Sequence, residues 1–155
     1  MSTAITAPKV EDLILSITEE IHVNARLEKT FEALLEQLGP GMVDGKGEDM
    51  RMKVEAWPGG RWYRDLGQGN GHHWAQVQAI KRPTLIEITG PLFMSAPVVS
   101  NVQYRLKEVP GGTIIAFRHS AFGFVPDEYR DNMGRGWATI LERARNQAES
   151  GRKTQ

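Results

Sequence analysis

The sequence predicts an α+β fold in which an antiparallel sheet packs against one long C-terminal helix. Three observations carry that expectation. Between Met50 and His119, short alternating runs are broken by a turn signal roughly every 8–12 residues, as at Pro58-Gly59-Gly60, "GQGNG", Lys81-Arg82-Pro83 and Pro110-Gly111-Gly112. Beyond them Tyr129, Met133, Trp137, Ile140, Leu141, Ala144 and Ala148 recur at helical spacing and make one apolar stripe. A single further segment, near the start, has the same helical period.

Taken in order, residues 1–11 read as a flexible N-terminal tail, 12–150 as one domain and 151–155 as a polar C-terminal tail. "LILSITEEIHV" sets Leu13, Leu15, Ile17, Ile21 and Val23 at alternate positions, the signature of a half-buried strand. Glu19 breaks that parity, and a bulge is favoured over a carboxylate aimed at the core. In "NARLEKTFEALLEQLGP" Leu27, Phe31, Leu34, Leu35 and Leu38 take up helical spacing until Gly39-Pro40 stops it. A glycine-rich stretch follows and is expected to be a mobile loop. The runs "MRMKVEAW", "RWYRDL", "HHWAQVQAI", "TLIEIT", "VVSNVQYRLKEV" and "TIIAFRHSAF" then supply six strands. "PLFMS" (91–95), bracketed by prolines, is either strand-end packing or a lip at a cavity mouth. The long helix runs from about Pro126 to Ser150, with Asp127 and Glu128 suited to its start. It contains Gly134 and Gly136, each costing about 1 kcal/mol relative to alanine, beside Trp137. That cost suggests close packing or a bend at the largest ring of the stripe.

Composition narrows the function. Lysine plus arginine and aspartate plus glutamate are balanced at 19 each, which argues against a nucleic-acid partner. No apolar run approaches the roughly 20 residues of a membrane span, and the start lacks the basic and apolar regions of a signal peptide. A cytoplasmic location is the simplest expectation. The chain has no cysteine, so disulfides, thiolate metal sites and a cysteine nucleophile are excluded. The glycines of "GQGNG" lack the strand-to-helix setting of a phosphate loop and read as a hairpin turn.

The pieces "IHVNARLEKTFEAL", "PGGRW", "AQVQAIKRPTLIEIT", "GGTIIAFRHSAFGF" and "YRDNMGRGWATIL", in that order, resemble the START-like (SRPBCC) superfamily with its helix-grip fold. The branch they resemble most is the one named for activators of the heat-shock protein 90 ATPase. The resemblance covers residues 12–149 or so. It implies a curved seven-stranded sheet wrapped around the C-terminal helix, with a short helical segment after the first strand and a cavity between sheet and long helix. It does not fix the function, because this fold hosts carriers, cyclases, hydroxylase subunits and co-chaperones.

Strand parity then proposes the cavity residues. The inward set is Met50, Met52 and Val54 on one strand, Trp62 on the next with Arg64 at the rim or paired with an acid, and Val102 and Tyr104 further on. Ile115, Phe117 and His119 follow, facing Met133, Trp137 and Ile140 of the helix. The adjacent pair His72 and His73 cannot converge on one ion while they lie on a strand. His73 goes inward with Ala75 and Val77 and His72 outward, unless a bulge exchanges them. Metal binding needs three or four converging ligands, so no metal and no cofactor are expected. Apolar walls with a few polar tips suit an apolar or aromatic, lipid- or polyketide-like small molecule. Binding is favoured over catalysis. The enzyme alternative is a cyclase, isomerase or dehydratase using His119 or His73 as acid or base with Tyr104 or Arg64 orienting the substrate. A co-chaperone-like interaction role is the third reading, and homodimerisation is left open.

Overall fold

The computed structural model describes residues 7–150, so residues 1–6 of the expected first tail and the whole of the second lie outside it. A short 3-10 turn, Val10–Leu13, enters strand β1 (Ile14–Val23), so structure begins two residues before the expected boundary. Helix α1 (Leu27–Leu38) follows, then β2 (Met52–Val54), β3 (Arg61–Gly67), β4 (Asn70–Lys81), β5 (Leu85–Gly90), β6 (Val98–Val109), β7 (Gly112–Gly123) and helix α2 (Asp127–Glu149). The seven strands form one antiparallel sheet in the order β1-β7-β6-β5-β4-β3-β2. This is the helix-grip arrangement.

Each helix buries one stripe against the sheet's inner face. Phe31, Leu34, Leu35 and Leu38 of α1 are buried, as are Met133, Trp137, Leu141, Ala144 and Ala148 of α2. Gly39 ends α1, its N–H donating to the carbonyls of Leu35 and Glu36 that the helix leaves unpaired. The carbonyl of Leu38 accepts from the indole N–H of Trp62 at 2.7 Å, which ties β3 to the end of α1. The loop after α1 has its own order. Asp44 accepts from the backbone N–H groups of Lys46 and Glu48, and Val43 bridges to Asp49.

Parity holds where the register is unbroken. Val98, Ser100, Val102, Tyr104 and Leu106 of β6 are all buried, as are Thr113, Ile115, Phe117, His119 and Ala121 of β7. Two readings need correction. The pairing of β1 with β7 runs without interruption through Glu19 opposite Phe117, so no bulge exists there and Glu19 belongs to the inward set. It is only half-buried, because β1 is an edge strand and leaves its carboxylate a route to water. In β4 the reverse applies. Ala75 sits opposite Trp62 while His73 sits opposite Tyr63, so Trp74 is the extra residue of a β-bulge. Trp74 and Ala75 are both buried, and beyond the bulge the parity is exchanged: His73 is exposed and His72 half-buried on the side of Trp74.

Candidate functional cleft

The space directly between the middle of the sheet and α2 is filled. Phe117 packs between Tyr104 and Trp137, with ring centroids 4.9 Å from each. His119 is fully buried beside them. Its Nδ1 accepts from the indole N–H of Trp137 at 3.1 Å, and its Nε2 lies 2.8 Å from the hydroxyl of Ser100. An indole nitrogen can only donate, so Nδ1 carries the lone pair and Nε2 the proton. Burial pushes the histidine down to about 4, which keeps it neutral at neutral pH. With both nitrogens engaged, His119 has neither a proton nor a lone pair to offer a substrate. Tyr104 is buried as deeply, its hydroxyl has no hydrogen-bond partner in the protein, and burial raises its pKa.

Open volume lies to one flank of α2 instead. A cleft of about 520 Å³ runs between α2, the last turns of α1, the loop of residues 42–50, β4 and Phe93. Its walls are mainly apolar: Met42, Val43, Met50, Trp74, Phe93, Tyr129, Met133, Trp137 and Ile140. Trp74, Phe93 and Tyr129 form an edge-to-face chain, with centroids 5.4 and 5.1 Å apart. Trp74 also meets Trp62 edge-on at 5.1 Å. The segment after β5 places Phe93 there. Leu92, at φ 62°, is fully buried and its N–H bonds the carbonyl of Trp74, so Phe93 projects from a backbone pinned onto the bulge. "PLFMS" is thus packing at Leu92 and Met94 and a cleft wall at Phe93.

Four of the residues expected from parity, Met50, Met133, Trp137 and Ile140, line this cleft. Met52, Trp62, Val102, Tyr104, Ile115, Phe117 and His119 lie in the packed core, and Val54 is half-buried against it. Arg64 braces the cleft from behind, its Nε donating to the carbonyl of Met50 at 3.0 Å. His73 is on the outer face, 3.4 Å from the side chain of Gln76, and takes no part. The bulge that displaces His73 brings in Trp74, which strict alternation assigns to solvent. Gln37, Met42 and Phe93 were also missed; the cue available was the proline-bracketed apolar segment for Phe93. Gly134 and Gly136 do not serve close packing, since a side chain at either would meet nothing within 4 Å. Gly136 lines the cleft, where a missing side chain leaves room.

Polar groups on the walls are few. Asp44 is committed to its own loop, Asn132 bonds the carbonyl of Glu128 and accepts from Arg135, and Thr139 bonds the carbonyl of Arg135. Arg143 is exposed at the rim. Gln37 donates to Gln147 at 2.8 Å but its carbonyl oxygen has no protein partner, and neither has the indole N–H of Trp74. Leaving a buried donor unpaired costs about 1–3 kcal/mol. Among the described residues no group of three or more His, Asp or Glu side chains is placed to hold a metal ion, and no helix is long and apolar enough to cross a membrane.

A family model described as "Activator of Hsp90 ATPase homolog 1-like protein" matches residues 24–145. The chain belongs to this family. Among solved structures, this Hsp90-activator-like chain is similar to CalU16 from Micromonospora echinospora, at 19% identity and a TM-score of 0.62 over 89% of this chain and 76% of that one. The Aha1 dimer from Colwellia psychrerythraea matches at 17% identity and 0.65, over 90% and 99%. The di-domain ARO/CYC StfQ of the steffimycin biosynthetic pathway matches at 12% and 0.67, over 91% of this chain and 53% of that one. At these identities the likeness is one of fold. No curated protein matches the chain in sequence.

Proposed function

We propose that this protein, in the cytoplasm, holds an aromatic or largely apolar small molecule in the cleft beside α2 and performs no chemistry on it. The observation that carries this reading is the cleft itself: about 520 Å³, within the roughly 300–1,000 Å³ of small-molecule sites, with three aromatic rings in an edge-to-face chain along it. Met42, Met50 and Met133 add flexible, polarizable surface that adapts to a ring's outline. The acid–base alternative loses support from the same geometry, since His119 is sealed by its two partners and His73 faces away. Chaperone activation rests on the family's name, whereas the binding reading rests on this chain's own residues. Native mass spectrometry of freshly purified protein tests it: a bound small molecule released on unfolding is expected. Bare protein that no aromatic compound stabilises in a thermal-shift screen would count against it.

Homodimerisation is a second, compatible reading, favoured by one observation. Ile14, Phe122 and Val99 are consecutive cross-strand neighbours on the outer face of the sheet, each about half exposed, and the next row is the uncharged Ser16, Ser120 and Asn101. A second copy meets no like charge on such a patch, and the similar Aha1 structure is described as a dimer. Light scattering should give twice the monomer mass, reverting to one with Phe122→Ser; a monomer at all concentrations rejects the dimer.

A further inference from the structure

The cleft changes character along its length. Tyr129, Met133, Gly136, Ile140 and Arg143 line it from α2 at steps of four, three, four and three residues, so they share one face of the helix. From the first to the last that face rises about 21 Å, at about 1.5 Å per residue. Phe93 packs on Tyr129 at 5.1 Å and Trp74 packs on Phe93, which makes the end near the start of α2 aromatic. At the opposite end Gln37 reaches from α1 to Gln147, one turn beyond Arg143, so that end is polar.

Arg143 is the one cation among the described lining residues. Its side chain is exposed and has no hydrogen bond or ion pair among the described residues, so its guanidinium is open to whatever fills the cleft mouth. The other polar groups of the wall are engaged. Asp44 accepts from the backbone N–H groups of Glu48 and Lys46, which hold its carboxyl below the usual range. Asn132 and Thr139 bond to carbonyls of their own helix. Resting on the binding reading above, we infer that the ligand is an elongated amphiphilic carboxylate. Its ring sits against Tyr129, Phe93 and Trp74, its methylene chain runs along Met133, Gly136 and Ile140, and its carboxylate meets Arg143 at the mouth. The planar fork of a guanidinium matches a carboxylate. Because the pair is exposed, apolar contact supplies most of the affinity and the charge sets the direction in which the molecule lies.

Naphthyl-acetate and naphthyl-decanoate, each beside its neutral alcohol, test this by calorimetric titration of the full-length protein. The short tether cannot reach from Tyr129 to Arg143, whereas the long one can. Lengthening is expected to tighten binding about a hundredfold as methylenes leave water. At the long length the acid should bind about threefold more tightly than its alcohol, the scale of an exposed ion pair, and lose that margin in high salt. At the short length the acid should have no margin. Arg143→Gln, a conservative change at an exposed helix position, should remove the margin and leave the alcohols unchanged. Arg118→Gln, on the outer face of the sheet, should leave it intact. No margin at the long length, one that is equal at both lengths or survives Arg143→Gln, or tighter binding of the long-chain amine than of the acid overturns the inference and leaves the binding reading standing. If no naphthyl probe binds, the binding reading itself fails and takes the inference with it.

Discussion

The interior has two halves that differ in how completely they are filled. On the β6–β7 side, side chains alternate without interruption over 12 residue pairs, rings fill the space, and the buried histidine has a partner on each nitrogen. On the β3–β4 side the ladder slips at a bulge, β2 lasts three residues, a loop replaces sheet, and a cleft of about 520 Å³ stays open beside α2. Regular pairing gives a dense core, although the hydroxyl of Tyr104 within it has no partner. Irregular pairing leaves open volume, which a ligand uses.

Truncating a ring should separate the halves most clearly. Phe117→Ala, in the packed half, is expected to cost about 3–5 kcal/mol in denaturant unfolding, the range for emptying a buried aromatic site. Met50→Ala, half-buried on the cleft wall, should cost distinctly less, because the volume it gives up is already open to solvent. Similar losses at both positions would break the distinction.

A comparable effect should appear with pH. The folded His119 sits at about 4, below its ordinary value near 6.5, so the folded state resists the proton that the unfolded chain accepts. Its contribution is fully present above pH 6.5 and is lost as pH falls through that value toward about 4, in total about 3 kcal/mol. Unfolding curves across that window should show the loss in wild type and a flatter profile in His119→Gln, though from a lower starting stability because Trp137 loses an acceptor. Equal slopes in the two proteins would place the histidine in a different environment.

The helix glycines give a smaller and more discriminating pair. Nothing crowds either position, so Gly134→Ala and Gly136→Ala should each raise stability by about 0.5–1 kcal/mol through helix propensity and reduced chain entropy. Only Gly136 lines the cleft, so only its substitution should weaken binding of an aromatic probe. Smallest of all, His73→Gln on the outer face should change neither stability nor binding beyond experimental scatter.

Legibility in the sequence follows the same division. The strand segments, both helices and the inward residues of β6 and β7 can be read by counting, because helices keep their own period and an unbroken ladder obeys period two. Counting fails at His73 and Trp74, since a bulge adds one residue and exchanges faces without a marker in composition. Glu19 fails in the other direction: polarity suggests a bulge, whereas an edge strand tolerates an inward carboxylate that still reaches water. Nor could parity find Gln37, Met42 or Phe93. They meet in the cleft through the packing of α1, a loop and the turn after β5, contacts distant in sequence that no periodicity encodes.

The central claim is that the cleft, and not the space under β6 and β7, is where a small molecule binds. Methyl resonances of the methionines report on it directly, since Met42, Met50 and Met133 line the cleft while Met52 and Met94 are buried away from it. Titration with acetylnaphthalene is predicted to shift the first three in a saturable manner and leave Met52 and Met94 in place. Saturable binding that moves Met52 or Met94 while Met42, Met50 and Met133 stay still would contradict the account.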